Sequence, residues 1–133
     1  MRLFLKQPLL ILVVATIISG AAAVIMAQKG TSIVTRIKFA RGRTSTIERG
    51  SVHHGMSHDY LLKASAGQDM TVHLAARGGV VFEVLSPGER YVIVHDTKDW
   101  SDQLNESGDY RINVLPDTTT ERSIPYTLEV TVR

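Results

Sequence analysis

Asp59-Tyr60-Leu61-Leu62-Lys63-Ala64-Ser65-Ala66-Gly67-Gln68-Asp69-Met70-Thr71-Val72-His73-Leu74 carries the clearest pattern in the chain. Tyr60, Leu62 and Ala64 alternate with Leu61, Lys63 and Ser65, and Met70, Val72 and Leu74 alternate with Thr71 and His73. Side chains on a strand point to opposite faces with a period of two, so each half reads as a strand with one buried face. Ser65 to Asp69 is a turn cluster, and Gly67 tolerates the positive φ of a tight reversal. The stretch therefore predicts a β-hairpin at the centre of an antiparallel sheet.

Outward from that centre, short strands separated by turn residues continue in both directions. On the N-terminal side Ile33, Thr35, Ile37 and Phe39 alternate with Val34, Arg36 and Lys38, giving a first strand. Thr44 to Val52, interrupted by Gly50, reads as an edge strand. His53 to His58 reads as a loop leading into the central pair. On the C-terminal side Val80–Leu85 and Tyr91–His95 flank the turn Ser86-Pro87-Gly88-Glu89, with Phe82 and Val84 facing the core. Asp96 to Glu106 reads as a polar loop carrying a short strand. Ser107-Gly108 turns into Asp109–Leu115, and Tyr126, Leu128, Val130 and Val132 mark the last strand. About eight strands with no helical period define an all-β antiparallel sandwich of jelly-roll type over residues 28–133.

Residues 1–27 have a different character. Arg2 and Lys6 precede a charge-free run from Leu9 to Ala27 that ends in small residues, Ser19-Gly20-Ala21-Ala22-Ala23. This is the pattern of a secretory signal peptide, cleaved after Ala27 or Ala23. Left uncleaved, the run is long enough to span a bilayer as an anchor. A periplasmic or secreted chain follows, with no membrane contact once the leader is removed. The chain has no cysteine, so an exported domain of this size relies on sheet packing rather than disulfides.

Charge narrows the partners. Arg2 and Lys6 account for the whole net charge of +2, leaving 13 basic against 13 acidic side chains beyond the leader. Lys29, Arg36, Lys38, Arg41, Arg43 and Arg49 face only Glu48 in the first part, but Phe39 is the only aromatic among them. A nucleic-acid face needs stacking aromatics between the cations, so nucleic acid is not expected as a partner.

The motifs of chemistry are missing. His53, His54, His58 and Asp59 lie close together, yet they lack the spacing and cysteine support of a metal centre, and no metal or other cofactor is expected. Gly55-Met56-Ser57-His58 lacks the second glycine of a nucleophile elbow. No catalytic residue is assigned, and the chain reads as a binding protein rather than an enzyme. Trp100, in Thr97-Lys98-Asp99-Trp100-Ser101-Asp102, is the single tryptophan. It either presents an indole to a partner or, the simpler reading, folds back to plug one end of the sandwich.

Four segments carry a family resemblance: Tyr-x-Leu-x-Ala-x-Ala-Gly-Gln-x-Met-x-Val-x-Leu at 60–74, Trp100 with Leu104, Ser-Gly-Asp-Tyr-x-Ile-x-Val at 107–114, and Tyr-Thr-Leu-x-Val-x-Val at 126–132. From Ile37 onward the chain resembles the exported β-sandwich proteins grouped with bacterial inhibitors of g-type lysozyme, and the wider pre-peptidase C-terminal domain superfamily. The resemblance implies a periplasmic protein that blocks the cleft of a lysozyme with loops at one end of the sandwich. The rival readings are a glycan- or matrix-binding module of the pre-peptidase type and an envelope protein of structural or stress role. Other periplasmic lysozyme inhibitors carry Ser-Gly-x-x-Tyr; here Ser107-Gly108-Asp109-Tyr110 is one residue shorter, which sends Tyr110 into a strand. Aromatic and basic anchors dominate tight interfaces, so the expected partner-binding end comprises Trp100, Lys98, Ser107, Gly108 and Tyr110.

Export is directly measurable. Mass spectrometry of the periplasmic fraction is expected to give a chain beginning at Gln28 or Val24; an intact mass including Met1, recovered from membranes, contradicts cleavage.

Overall fold

The computed structural model describes residues 30–119 and 121–133. The expected leader over 1–27 lies outside them. Among the described residues nine strands form two packed sheets, with no α-helix. The strands are β1 (Thr31–Arg36), β2 (Ser45–Val52), β3 (Met56–Ala64), β4 (Asp69–Ala76), β5 (Val80–Leu85), β6 (Val92–Thr97), β7 (Asp99–Gln103), β8 (Gly108–Pro116) and β9 (Ile124–Val132). One sheet has the order β1-β3-β8-β5-β6 and the other β2-β9-β4-β7. The all-β sandwich expected from the alternation is what the chain forms.

The inner faces are those the alternation marked. Tyr60, Leu62 and Ala64 of β3 face Met70, Val72 and Leu74 of β4 across the core, joined by Phe82, Val84, Ile112, Val114, Leu128 and Val130, all buried. Burial of such apolar side chains is the main favourable term in a domain that has no cross-links.

The central pair is not a hairpin. β3 hydrogen-bonds to β1 and β8, whereas β4 hydrogen-bonds to β9 and β7, so the chain crosses between sheets at Ser65–Gln68. Gly67 does take a positive φ, 89°. Its N–H, however, donates to Leu104 O (2.7 Å), and Leu104 N–H donates to Gln68 O (2.7 Å). The turn is thus held by the segment between β7 and β8. Alternation alone fits a hairpin and a sheet-to-sheet arch equally; non-local pairing with β8 and β9 decides between them.

Two other boundaries move. The first strand is Thr31–Arg36 rather than 33–39, and it runs parallel to β3 at the sheet edge. There Ile33 and Val34 are 43% and 54% exposed, while Ile37 beyond the strand is buried. The segment His53–His58 is a loop only as far as Gly55, because β3 begins at Met56. Consequently His58 and Asp59 are strand residues on opposite faces. Asp59, 5% exposed, accepts from Ser32 Oγ (2.8 Å) and Arg111 Nη1 (2.7 Å) and contacts Asn113 Nδ2, which fastens β1, β3 and β8 on the outer side.

His58 faces inward, into a polar cluster between the layers. Its ring stacks on Tyr60, with centroids 4.2 Å apart. The Tyr60 and Tyr126 hydroxyls meet at 2.6 Å, and both lie near His58 Nδ1, at 3.2 and 2.9 Å. Thr35 Oγ1 is 2.8 Å from Nε2. Burial raises both tyrosine pKa values; for Tyr126 the hydroxyl contact with Tyr60 raises it further, whereas for Tyr60 that hydrogen bond opposes the rise. Burial lowers the His58 pKa, and Asp59 and Glu48 only partly offset this. The neutral imidazole suits the cluster, accepting at one nitrogen and donating at the other.

Two outcomes follow. Val72→Asp places an unpaired carboxylate in the core and costs about 4 kcal/mol or more, while Thr71→Asp on the outer face costs under about 1 kcal/mol by denaturant unfolding. Equal losses contradict the register. For His58 the unfolded chain binds the proton more readily than the native state, so stability falls as pH drops from about 6.5 through the lower native pKa. The melting temperature of His58→Gln is therefore expected to change less between about pH 7.5 and about pH 5 than that of the parent; identical changes contradict it.

Candidate functional site

The strand directions define two ends. One carries the connections after β2, β4, β6 and β8; the other carries those after β1, β3, β5 and β7. Trp100 lies on strand β7 rather than in a loop, paired with Val72 of β4. It is half-buried against the core and borders a small cavity of about 70 Å³ shared with Tyr91, Ile93 and Tyr110. It packs inward from the edge strand β7, neither presented from a loop nor closing an end of the sandwich.

The remaining expected partner-binding residues do not share one end. Lys98 lies at the first end, where its carbonyl accepts from Leu74 N–H at 2.8 Å and its Nζ is 3.5 Å from Gly78 O. Ser107 lies at the other, its Oγ accepting from Ala66 N–H at 2.9 Å. Gly108 has φ 147° and packs on Pro87, so that an added Cβ falls 2.8 Å from the Pro87 side chain. Tyr110 is buried and donates to Glu106 O at 2.6 Å. Sequence proximity grouped Lys98 with Ser107, but β7 between them runs antiparallel along Asp69–His73 of β4 and carries them to opposite ends.

The first end is held by backbone contacts. Asp117 N–H donates to Gly79 O and Val80 N–H to Gly78 O, both at 2.9 Å. The approach at Gly79 is so close that an added Cβ falls 1.8 Å from Asp117 Oδ1 and 2.5 Å from Thr118 Cγ2. Met56 N–H donates to His53 O and Thr31 N–H to Gly55 O, again at 2.9 Å. Gly55 has φ 80°, a conformation that suits glycine. Loops clamped in this way are pre-organised, which lowers the entropy lost on binding a partner. His54, Lys98 and Asp117 project there, exposed. Among the described residues no three metal-ligating side chains converge, and the end offers charge and polar backbone.

Two features had no plain sequence signal. Gly50 looked like a weak point in an edge strand; in fact Tyr126 packs on it, and an added Cβ falls 2.5 Å from the Tyr126 hydroxyl. Gly79, in the turn after β4, receives Asp117. In both cases the missing side chain marks a close approach.

No family model matches the chain, and no curated protein matches it in sequence. Solved structures do. The crystal structure of Aeromonas hydrophila PliG, a periplasmic inhibitor of g-type lysozyme, superposes with TM-score 0.70 at 27% identity, covering 77% of this chain and 98% of that one. Salmonella Typhimurium PliG, of the same description, gives TM-score 0.63 at 19% identity over 77% of this chain and all of that one. The pre-peptidase C-terminal domain of a Bacillus anthracis collagenase gives TM-score 0.51 at 10% identity, over 77% and 94% respectively. The resemblance read from the sequence is thereby supported from the fold: the chain is a β-sandwich similar to the PliG inhibitors of g-type lysozyme, and more distantly to the pre-peptidase C-terminal domain.

Proposed function

We propose that this protein is an exported inhibitor of g-type lysozyme, a binding protein rather than an enzyme, acting in the periplasm. The observation that carries the reading is the match to Aeromonas PliG, which extends over nearly all of that protein at 27% identity. The absence of any catalytic motif in the sequence agrees with it.

The inhibitory surface, in this reading, is the end formed by His53–Gly55, Gly78–Gly79, Lys98 and Asp117–Thr118. A lysozyme cleft is a concave groove with catalytic carboxylate chemistry. A blocking partner needs a rigid end with a cationic group; the Gly79–Asp117 clamp supplies the rigidity and exposed Lys98 the cation. The opposite end carries Arg41 and Arg43 in the β1–β2 connection and is the rival surface; Trp100, packed into the core, serves the fold.

Lys98→Glu is expected to weaken inhibition of a g-type lysozyme about tenfold, more at low salt than at high, because a reversed rim charge acts on association. Arg43→Glu at the other end is expected to leave inhibition within about twofold. The measurement is lytic activity against inhibitor concentration, with circular dichroism confirming the fold. A reversed order of the two variants moves the surface to the other end.

A further inference from the structure

The outer face of the β2-β9-β4-β7 sheet is uncovered and holds a depression that borders the loop end at Arg77. Register places Arg49, Thr127 and Ala75 side by side across β2, β9 and β4. Gly50, Tyr126 and Ala76 form the next row. Small side chains at Ala75, Thr127 and Pro125 leave a hollow of about 500 Å³, rimmed by Arg49 on one side and Arg77 on the other. That is the size range of small-molecule sites. Its floor is mostly apolar and is lined by Ala75, Ala76 and Pro125.

The two arginines are the informative part. Three guanidinium groups elsewhere are matched, Arg36 with Asp109 at 2.9 Å, Arg111 with Asp59 at 2.7 Å and Arg90 with Glu106. Arg41, Arg43 and Arg133 carry no ion pair among the described residues, but none of them borders the hollow. Among the described residues Arg49 and Arg77 have no salt-bridge partner, although both are exposed. Glu129, the acid on the same face, lies opposite Ile47, one outward position along β9 from Thr127. Two strand spacings and a two-residue offset put the Arg49 and Arg77 Cα atoms about 12 Å apart. Both side chains therefore reach a single group above Thr127. Guanidinium forks match planar carboxylates bidentately, and the apolar floor suits a compact, weakly polar body beside the acid.

We propose that this hollow binds a small carboxylate-bearing ligand, its acid between Arg49 and Arg77 and its body on Pro125 and Ala75. The inference does not depend on lysozyme inhibition and stands or falls separately. A carboxylated amino sugar and an N-acyl amino acid share the required chemistry. The test is a 15N NMR titration of the exported protein with N-acetylmuramic acid, N-acetylalanine, N-acetylglucosamine and inorganic phosphate.

The two acids are expected to saturate shifts at the amides of Gly50, Ala76 and Thr127, and the tighter acid identifies the source. N-acetylglucosamine, which lacks the lactyl carboxylate, is expected to leave those amides in place, and phosphate, which cannot use the floor, to bind more weakly than the better acid. Arg49→Gln and Arg77→Gln each weaken binding about tenfold, and the pair abolishes it. The proposal is overturned by no shift with either acid at about 20 mM. Equal shifts with N-acetylglucosamine, phosphate binding as tight as the better acid, or binding that survives the double substitution also overturn it. Lysozyme inhibition measured on the same double variant keeps the two sites apart.

Discussion

Two tyrosines, one from each sheet, meet head to head between the layers. The 2.6 Å contact of Tyr60 and Tyr126 hydroxyls sets the distance between β3 and β9 at that point, and other features depend on it. Tyr126 finds room only because position 50 has no side chain. His58, stacked on Tyr60, reaches both hydroxyls with Nδ1 and Thr35 with Nε2. One small network therefore ties β1, β3 and β9 together, and β2 through the packing at Gly50. Buried polar groups are costly unless satisfied, so the network specifies a single arrangement of the layers where apolar packing alone tolerates several. Without cysteines, that specificity comes from side chains.

From this frame the proposed inhibitory end gains its rigidity. β2, β4, β6 and β8 all finish there, and their connections are fastened by hydrogen bonds of main-chain groups rather than by long side chains. A loop end ordered before contact loses little entropy when it enters a partner's cleft. The outer face of the β2-β9-β4-β7 sheet is built differently, from short side chains with two unmatched guanidinium groups, and is suited to a small ligand rather than a deep cleft. The two surfaces meet near Arg77 but call for different chemistry.

The inner faces were legible in the sequence because a period of two survives whatever the strands pair with. Tyr60, Leu62, Ala64, Met70, Val72, Leu74, Phe82, Val84, Leu128 and Val130 all face the core as their spacing requires. Pairing was not legible. The arch at Ser65–Gln68 and the parallel β1 depend on contacts with β8, β9 and β3 that are distant or directionless in the sequence. The site was less legible still. Lys98 and Ser107 are nine positions apart, yet the intervening β7 separates them to opposite ends. Trp100 in a polar stretch left an exposed and an inward indole both open, and alternation within Asp99–Gln103 turns it inward beside Val72. Arg49 and Arg77 join one hollow only because β9, from the far end of the chain, lies between their strands.

The reading as a lysozyme inhibitor is tested most directly by titrating the purified protein into lytic assays of a g-type and a c-type lysozyme matched for activity. The fold and the PliG likeness predict a dose-dependent loss of g-type lysis at roughly micromolar inhibitor or below, with the c-type enzyme unaffected over the same range. Undiminished g-type lysis at that concentration, with the protein folded, contradicts it.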